Sequence, residues 1–298
     1  MTLRQQSSPA PTATSIFSPT SPVPSAVPVP LPDRTADNDS GTASAEDDGS
    51  SAVDGDDTTP EDNNCSRDDD DFAQPRLRLK IPDLEHSGAA KFLGAVNAGT
   101  LVAESIAKVQ RLLYRSPSET HTTAPPTRSV TLVLREMDGV AYTTGSSLDS
   151  DHKEIHFSLS YIDGIKPAER LTDEITGVVV HELVHCYQWD AKGTCPGGLI
   201  EGIADWVRLN CDLSPPHWKR ETSGNWDGGY QHTAYFLQYL EGRYGEGTVR
   251  KMNEKLRLHE YEAKPFWVEL LGRPVEQLWE DYVKKVADEA PTDDQTSS

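Results

Sequence analysis

The sequence predicts a single α+β domain that follows an acidic, disordered N-terminal segment. Residues 1–75 contain ten of the 21 prolines and fifteen acidic residues against three basic ones. Such a segment cannot bury enough apolar surface to offset the entropy lost on ordering. Beyond it, apolar residues recur first at strand spacing and later at helical spacing. Strands followed by helices are typical of the α+β class.

The chain is predicted to have three parts. Residues 1–75 form the disordered segment, rich in Pro, Ser and Thr at first and acidic later; 76–287 form the domain; 288–298 form a second disordered acidic segment. Of the net charge of −20, the first part carries −12 and the last −4, which leaves −4 on the domain. Its length of roughly 210 residues is enough for one sizeable core.

Composition excludes several classes of protein. No run of about 18 apolar residues exists for a membrane-spanning helix, and the first 30 residues lack the apolar centre of a secretory signal. No basic patch indicates a nucleic-acid partner. Four cysteines are too few for a disulfide-built fold and indicate reduced thiols. We therefore expect a cytoplasmic protein, with non-classical secretion as the alternative. We also expect the protein to be a monomer.

Periodicity places the elements of the domain. Strand-like segments, with alternating or β-branched residues, lie at 76–81, 129–134 and 155–162. Helical spacing is found at 87–114, 173–190, 199–210, 230–244, 246–258 and 274–287.

The helix predicted at 173–190 contains an H-E-x-x-H motif, HELVH at 181–185. Residues four apart share one helical face, so the imidazoles of His181 and His185 can both reach one metal ion at about 2.0–2.1 Å. Glu182 lies about 100° around the helix, close to a metal-bound water without being a ligand. In an apolar helix these polar residues cost stability unless something pairs them.

The next helix carries a second pair of polar residues four apart, Glu201 and Asp205. Glu201 can complete a His₂Glu zinc site of the catalytic type, which leaves one position open for water. Asp205 can accept the other ring N–H of a ligand histidine and so fix its tautomer. The alternative is that both acids lie on an ordinary solvated helix face. Should Glu201 not be the third ligand, Asp205 is the next candidate.

One long stretch resembles a known family. It reads HELVHCYQWDAKGTCPGGLIEGIADWVRLN and is followed by PPHW and WDGGYQHTAYFLQYLEGRYG. These motifs resemble the plant basic secretory protein family, a group regarded as zinc metallopeptidases that also occurs in fungi and bacteria. The resemblance covers roughly 76–287 and implies a zincin-like domain of the gluzincin type. It also implies Zn²⁺ on His181, His185 and Glu201, with Glu182 as the general base.

Two further residues are candidates for a catalytic hydrogen-bond donor. The segment 227–232 looks like the one that supplies a histidine donor in thermolysin-like peptidases, and it contains Tyr230 and His232. A donor to the developing oxyanion contributes about 2.7–4 kcal/mol to the transition state. The alternatives are core packing for Tyr230 and a surface position for His232.

The resulting functional prediction is a zinc-dependent peptidase that acts on peptides or proteins through a water activated by Glu182. The strand at 155–162 is the predicted sheet edge that holds an extended substrate. Two alternatives stay open at this point. One is a non-catalytic, zinc-stabilised binding or defence-related domain, and the other is an interaction protein whose working part is the acidic N-terminal segment.

Overall fold

The computed structural model describes residues 71–289. Most of the disorder predicted for 1–75 and 288–298 therefore lies outside the described residues. Residues 288 and 289 belong to the last helix, so the folded domain extends two residues beyond the boundary predicted at 287. Within 71–289 the chain forms one four-stranded sheet and nine α-helices, which confirms the α+β class.

The sheet is mixed. Its strands are β1 (Arg76–Lys80), β2 (Ser129–Arg135), β3 (Ala141–Gly145) and β4 (His152–Ser158). They lie in the order β1-β2-β4-β3; β1, β2 and β4 are parallel, and β3 pairs antiparallel with β4. Of the described strands, β1 and β3 therefore form the two edges.

Nine α-helices accompany this sheet within residues 71–289. They are α1 (Ser87–Ala95), α2 (Ala98–Tyr114), α3 (Leu159–Gly164), α4 (Leu171–Tyr187), α5 (Gly197–Asn210), α6 (Tyr230–Tyr244), α7 (Thr248–Leu258), α8 (Ala263–Leu271) and α9 (Val275–Glu289).

The strand predicted at 155–162 differs from the structure in two respects. β4 ends at Ser158, whose hydroxyl caps α3 by accepting a hydrogen bond from the backbone N–H of Tyr161. β4 also lies between β2 and β3. The prediction that this segment offers a free sheet edge is wrong, because β3, a strand that the periodicity did not reveal, covers it.

The single helix predicted at 87–114 is interrupted. α1 ends at Ala95, and α2 begins after Asn97, whose side chain accepts a hydrogen bond from the backbone N–H of Thr100 at 3.1 Å. Asn is among the best N-cap residues because its oxygen satisfies a free backbone donor of the first turn. The cap makes 98–114 a separate helix.

Helix α4 lies at the centre of the domain, between α2, α5 and the β3 edge of the sheet. Eleven of its 17 residues are buried, so the polar residues of its motif lie in the interior and need partners there. Cys186, on the same helix, is buried, whereas Cys195 and Cys211 are partly buried; all three are free thiols. Within 71–289 no helix has the length and apolarity that crossing a membrane requires.

A buried ion pair ties α4 to α5. The guanidinium of Arg208 lies 3.1 Å from the carboxylate of Glu174, which also accepts a hydrogen bond from the hydroxyl of Tyr161 at 2.9 Å. A Cβ at Gly177 would lie 2.6 Å from Nε of Arg208, so a larger residue there would displace the guanidinium from its place beside Glu174. The pair sets the relative position of the two helices that carry the candidate site.

Candidate metal centre

Three atoms from α4 and α5 form a small triangle. Nε2 of His181 lies 3.3 Å from Nε2 of His185 and 3.1 Å from Oε2 of Glu201; Nε2 of His185 lies 3.7 Å from the same oxygen. Ligands at about 2.0–2.1 Å around a tetrahedral zinc ion lie about 3.3–3.4 Å from one another. These three residues, here called the ligand triangle, match one face of that tetrahedron in size and could hold a metal ion.

His181 is held from both sides. Its Nδ1 lies 2.7 Å from Oδ1 of Asp205, a carboxylate that is buried beneath it, and its Nε2 faces Glu201. Burial alone would lower the pKa of the ring, but the hydrogen bonds to Asp205 and then Glu201 raise the pKa of His181 to about 10. Asp205 therefore orients the ring so that Nε2 points into the ligand triangle.

His185 lies in a different environment four residues later. Burial and the positive charge on His181 lower the pKa of His185 to about 4, so its imidazole is neutral at neutral pH. The side-chain amide of Gln188, at the end of α4, lies 2.7 Å from Nδ1 of His185. Sequence reasoning missed Gln188, although its position three residues after His185 on one helix face is a signal.

Glu182 lies in the interior beside the ligand triangle. Burial raises the pKa of its carboxyl group above the ordinary value, while the charge on His181 and the hydroxyl of Thr143 act in the opposite direction. Thr143 belongs to the edge strand β3, and its Oγ1 lies 2.7 Å from Oε2 of Glu182 and 2.9 Å from the Glu182 carbonyl oxygen. Sequence reasoning missed Thr143 too, because a short strand 39 residues earlier carries no signal of this contact.

Two glycines of α5 bring Glu201 close to the start of α6. A Cβ at Gly198 would lie 1.9 Å from the carbonyl oxygen of Asp227, and one at Gly202 would lie 2.4 Å from Cγ2 of Thr233. The Thr233 hydroxyl in turn accepts from the backbone N–H of Gly229 and donates to a loop carbonyl. The loop before α6 is thereby fixed against the helix that carries Glu201.

Tyr230 is the first residue of α6 and lies over the ligand triangle. Its ring stacks on His181, with centroids 6.1 Å apart and planes 13° from parallel, and 43% of the residue is exposed. Its φ of 45° is uncommon for a non-glycine residue, and such backbone positions cluster at functional sites. Partial burial, followed by the negative charges of Glu201 and Asp205, raises the pKa of Tyr230 to about 12. The phenol therefore keeps its proton at neutral pH.

His232, two residues after Tyr230 in α6, has other partners. Its Nε2 lies 2.8 Å from the carbonyl oxygen of Asn225, and its ring packs on Trp279 of α9 at a centroid distance of 5.0 Å. The structure thus brings Glu182, Asp205 and Tyr230 to the ligand triangle and gives His232 partners in the preceding loop and α9.

The chain also matches a protein-family model. The BSP family, described as "Peptidase of plants and bacteria", matches residues 74–282, a span that includes the ligand triangle and Tyr230. No match was found among curated proteins or among solved structures. The match covers well over half of the chain. It confirms the resemblance to the basic secretory protein family that the motifs from His181 onward indicate. The chain therefore belongs to the BSP family of peptidases of plants and bacteria.

Proposed function

We propose that this protein is a zinc-dependent peptidase with a zincin-like domain of the gluzincin type. The observation that carries the proposal is the ligand triangle with the buried carboxylate of Glu182 beside it. Two imidazoles and one carboxylate are one of the donor sets of catalytic zinc sites, which keep a fourth position open. The family description, a peptidase, supports the same reaction class.

His181, His185 and Glu201 would hold the zinc ion, and Asp205 would orient His181. When bound, zinc supplies a Lewis acid that polarises a carbonyl and acidifies a water molecule. The carboxylates of Glu201 and Asp205 both lie within hydrogen-bonding distance of His181. Their negative charges suit the site to a dication.

Glu182 is the proposed general base. Thr143 binds Oε2, which leaves Oε1 as the oxygen that takes a proton from the attacking water and later returns it to the leaving amine. Burial raises the pKa of this carboxyl group, which makes it a stronger base than an exposed glutamate.

Tyr230 is the proposed donor to the carbonyl oxygen as negative charge develops there. It is partly exposed, lies next to His181 and keeps its phenolic hydrogen at neutral pH. His232 is in our proposal a residue that holds the loop before α6, because its Nε2 already faces the carbonyl of Asn225.

The proposed substrate is a peptide or an unfolded protein segment that pairs with the edge of the sheet. The edge next to α4 is β3, whose Thr143 contacts the general base. Extended peptides commonly add a strand to such an edge, because backbone hydrogen bonds bind them independently of sequence.

The test is Glu182→Gln, which keeps the shape of the side chain and removes the base. We expect one zinc ion per chain by elemental analysis, as in the wild type, and hydrolysis of a dye-labelled unfolded protein reduced by about 10²–10⁴-fold, the usual contribution of acid–base catalysis. The matched control is Glu260→Gln, at an exposed position, which should leave both unchanged.

Undiminished hydrolysis by a Glu182→Gln protein that still holds zinc would overturn the assignment of the base. Zinc binding by the wild type without hydrolysis of any unfolded protein would favour the zinc-stabilised binding domain instead. A folded wild type that binds no zinc would overturn the proposed function as a whole.

A further inference from the structure

The amide of Gln188 makes a single side-chain hydrogen bond among the described residues. Its Nε2 lies 2.7 Å from Nδ1 of His185, and its Oε1 is buried and has no hydrogen-bond partner. The backbone of Gln188 is fixed separately, because its N–H donates to the carbonyl of Val184 at 2.7 Å and ends α4. The side chain is thus held in place while its amide is free to face His185 with either end.

The two ends of an amide differ in hydrogen bonding but hardly in size. The nitrogen only donates and the oxygen only accepts, and a half-turn about the last side-chain bond exchanges them without a change in packing. At Gln188 no third group opposes that half-turn, since Oε1 has no partner. Either end of the amide can therefore face Nδ1, and the end that does so favours the matching tautomer of His185.

A ligand at the triangle requires a particular tautomer of His185. The ring atom in the triangle is Nε2, 3.7 Å from Oε2 of Glu201, and a ligating nitrogen must present a lone pair. The ring hydrogen of the neutral imidazole must then lie on Nδ1. A hydrogen on Nδ1 needs an acceptor, and the Gln188 amide is the group that lies within hydrogen-bonding distance of it.

We propose that Gln188 is a positioning residue of the metal centre: its amide oxygen, brought to Nδ1 of His185 by the half-turn, accepts the ring hydrogen and holds the Nε2 lone pair toward the ligand triangle. This inference rests on the proposed zinc site. Gln188 then does for His185 what Asp205 does for His181, so that both ligand histidines are oriented from their far side. The two differ in charge, since Gln188 adds none.

The first test is zinc affinity, measured by competition with a chelator. Gln188→Met keeps the length of the side chain and removes the acceptor, and we expect zinc to bind about 10–100-fold more weakly, the usual effect of losing such a partner. Gln188→Glu restores an acceptor that cannot donate and should bind zinc at least as tightly as the wild type. Gln277→Met, at an exposed position of α9, is the control and should change nothing.

The second test reads the tautomer directly in the wild type. In ¹⁵N-histidine NMR spectra at neutral pH, we expect the hydrogen of His185 on Nδ1 both before and after zinc is added. A hydrogen on Nε2 in the zinc-free protein would mean that the amide donates, and it would overturn the inference. This measurement needs no variant, so it decides the matter even where Gln188→Met folds poorly.

Failure of the inference and failure of the proposed function give different results. Zinc bound equally tightly by the wild type, Gln188→Met and Gln188→Glu would overturn the role of Gln188 and leave the zinc site standing. Weakened binding in both variants would also overturn it, because an acceptor-only side chain should suffice. No zinc bound by the folded wild type would overturn both.

Discussion

His181 and His185 share one face of α4, yet their surroundings give them opposite affinities for protons. The pKa of His181 is raised to about 10 by Asp205 and Glu201, whereas that of His185 is lowered to about 4 by burial and by its charged neighbour. The two rings together therefore hold one proton beyond the neutral pair at neutral pH. A metal ion at the ligand triangle must displace that proton from Nε2 of His181.

Zinc binding is accordingly expected to release about one proton per chain at neutral pH, and the apparent zinc affinity should rise about tenfold per pH unit between about pH 6 and 9. The sign follows from the raised pKa of His181: below it, protons compete with the metal, and the competition weakens as the pH rises. Calorimetry in buffers of different ionisation enthalpy counts the protons. A pH-independent affinity would contradict this assignment of charge.

Tyr230 and His232 lie in the same turn of α6 but face different partners, so they form a matched pair for mutation. Tyr230→Phe should lower kcat/KM by about 10²–10³-fold, the usual loss of one oxyanion donor, with zinc content unchanged. His232→Gln should have a much smaller effect, because its contacts are with Asn225 and Trp279. Steady-state kinetics on one peptide substrate compares the two, and the reverse ranking would make His232 the donor.

At the scale of the elements, the site depends on how closely α5 approaches α6. The approach is possible because Gly198 and Gly202 face the loop and the first turn of α6 without a Cβ. Thr233 cannot yield easily to a larger residue, since its hydroxyl bonds both Gly229 and Trp226. The same interface sets the distance between Glu201, a proposed ligand, and Tyr230, the proposed donor.

Gly202→Ala should therefore destabilise the domain by about 1–3 kcal/mol, the usual cost of overpacking. It should lower peptidase activity as well, because it separates α5 from α6. Gly242→Ala is the control: it lies in α6 with nothing within 4 Å of its added Cβ, and it should stabilise by about 0.5–1 kcal/mol. Urea denaturation followed by circular dichroism measures both. Equal changes in the free energy of unfolding for Gly202→Ala and Gly242→Ala would contradict the close packing of α5 against α6.

At the scale of the whole molecule, a metal at the ligand triangle would join α4 to α5 and add to the Arg208–Glu174 ion pair between the same helices. Zinc at 100 times its dissociation constant should then stabilise the fold by about 2.7 kcal/mol, and chelation should remove this gain. The midpoint of thermal unfolding with and without zinc measures it. Glu201→Ala should show a smaller shift, and an equal shift would place the metal elsewhere.

Local spacing predicted most of the site, because residues four apart on a helix share a face in any fold. His181 with His185 and Glu201 with Asp205 are such pairs, and the structure brings them together. Thr143 escaped prediction, since only the tertiary packing of β3 against α4 brings it to Glu182. The α+β class and the central helices were also predictable. The break at Asn97 was not predicted, because the apolar periodicity continues across it. The pairing of β3 with β4 was not predicted either, because the periodicity did not reveal β3 as a strand.

Thr143 lies on the outer strand of the sheet and also holds the carboxylate of Glu182. A peptide that docks along that strand would therefore also immobilise Thr143, the residue that holds the proton acceptor in place. Long peptides, which cover more of the strand, would gain speed in the chemical step as well as affinity, since remote binding energy can be used at the reacting centre. Short peptides would be cleaved slowly even at saturation. The length of the substrate would thus regulate the catalyst, without any separate regulatory site.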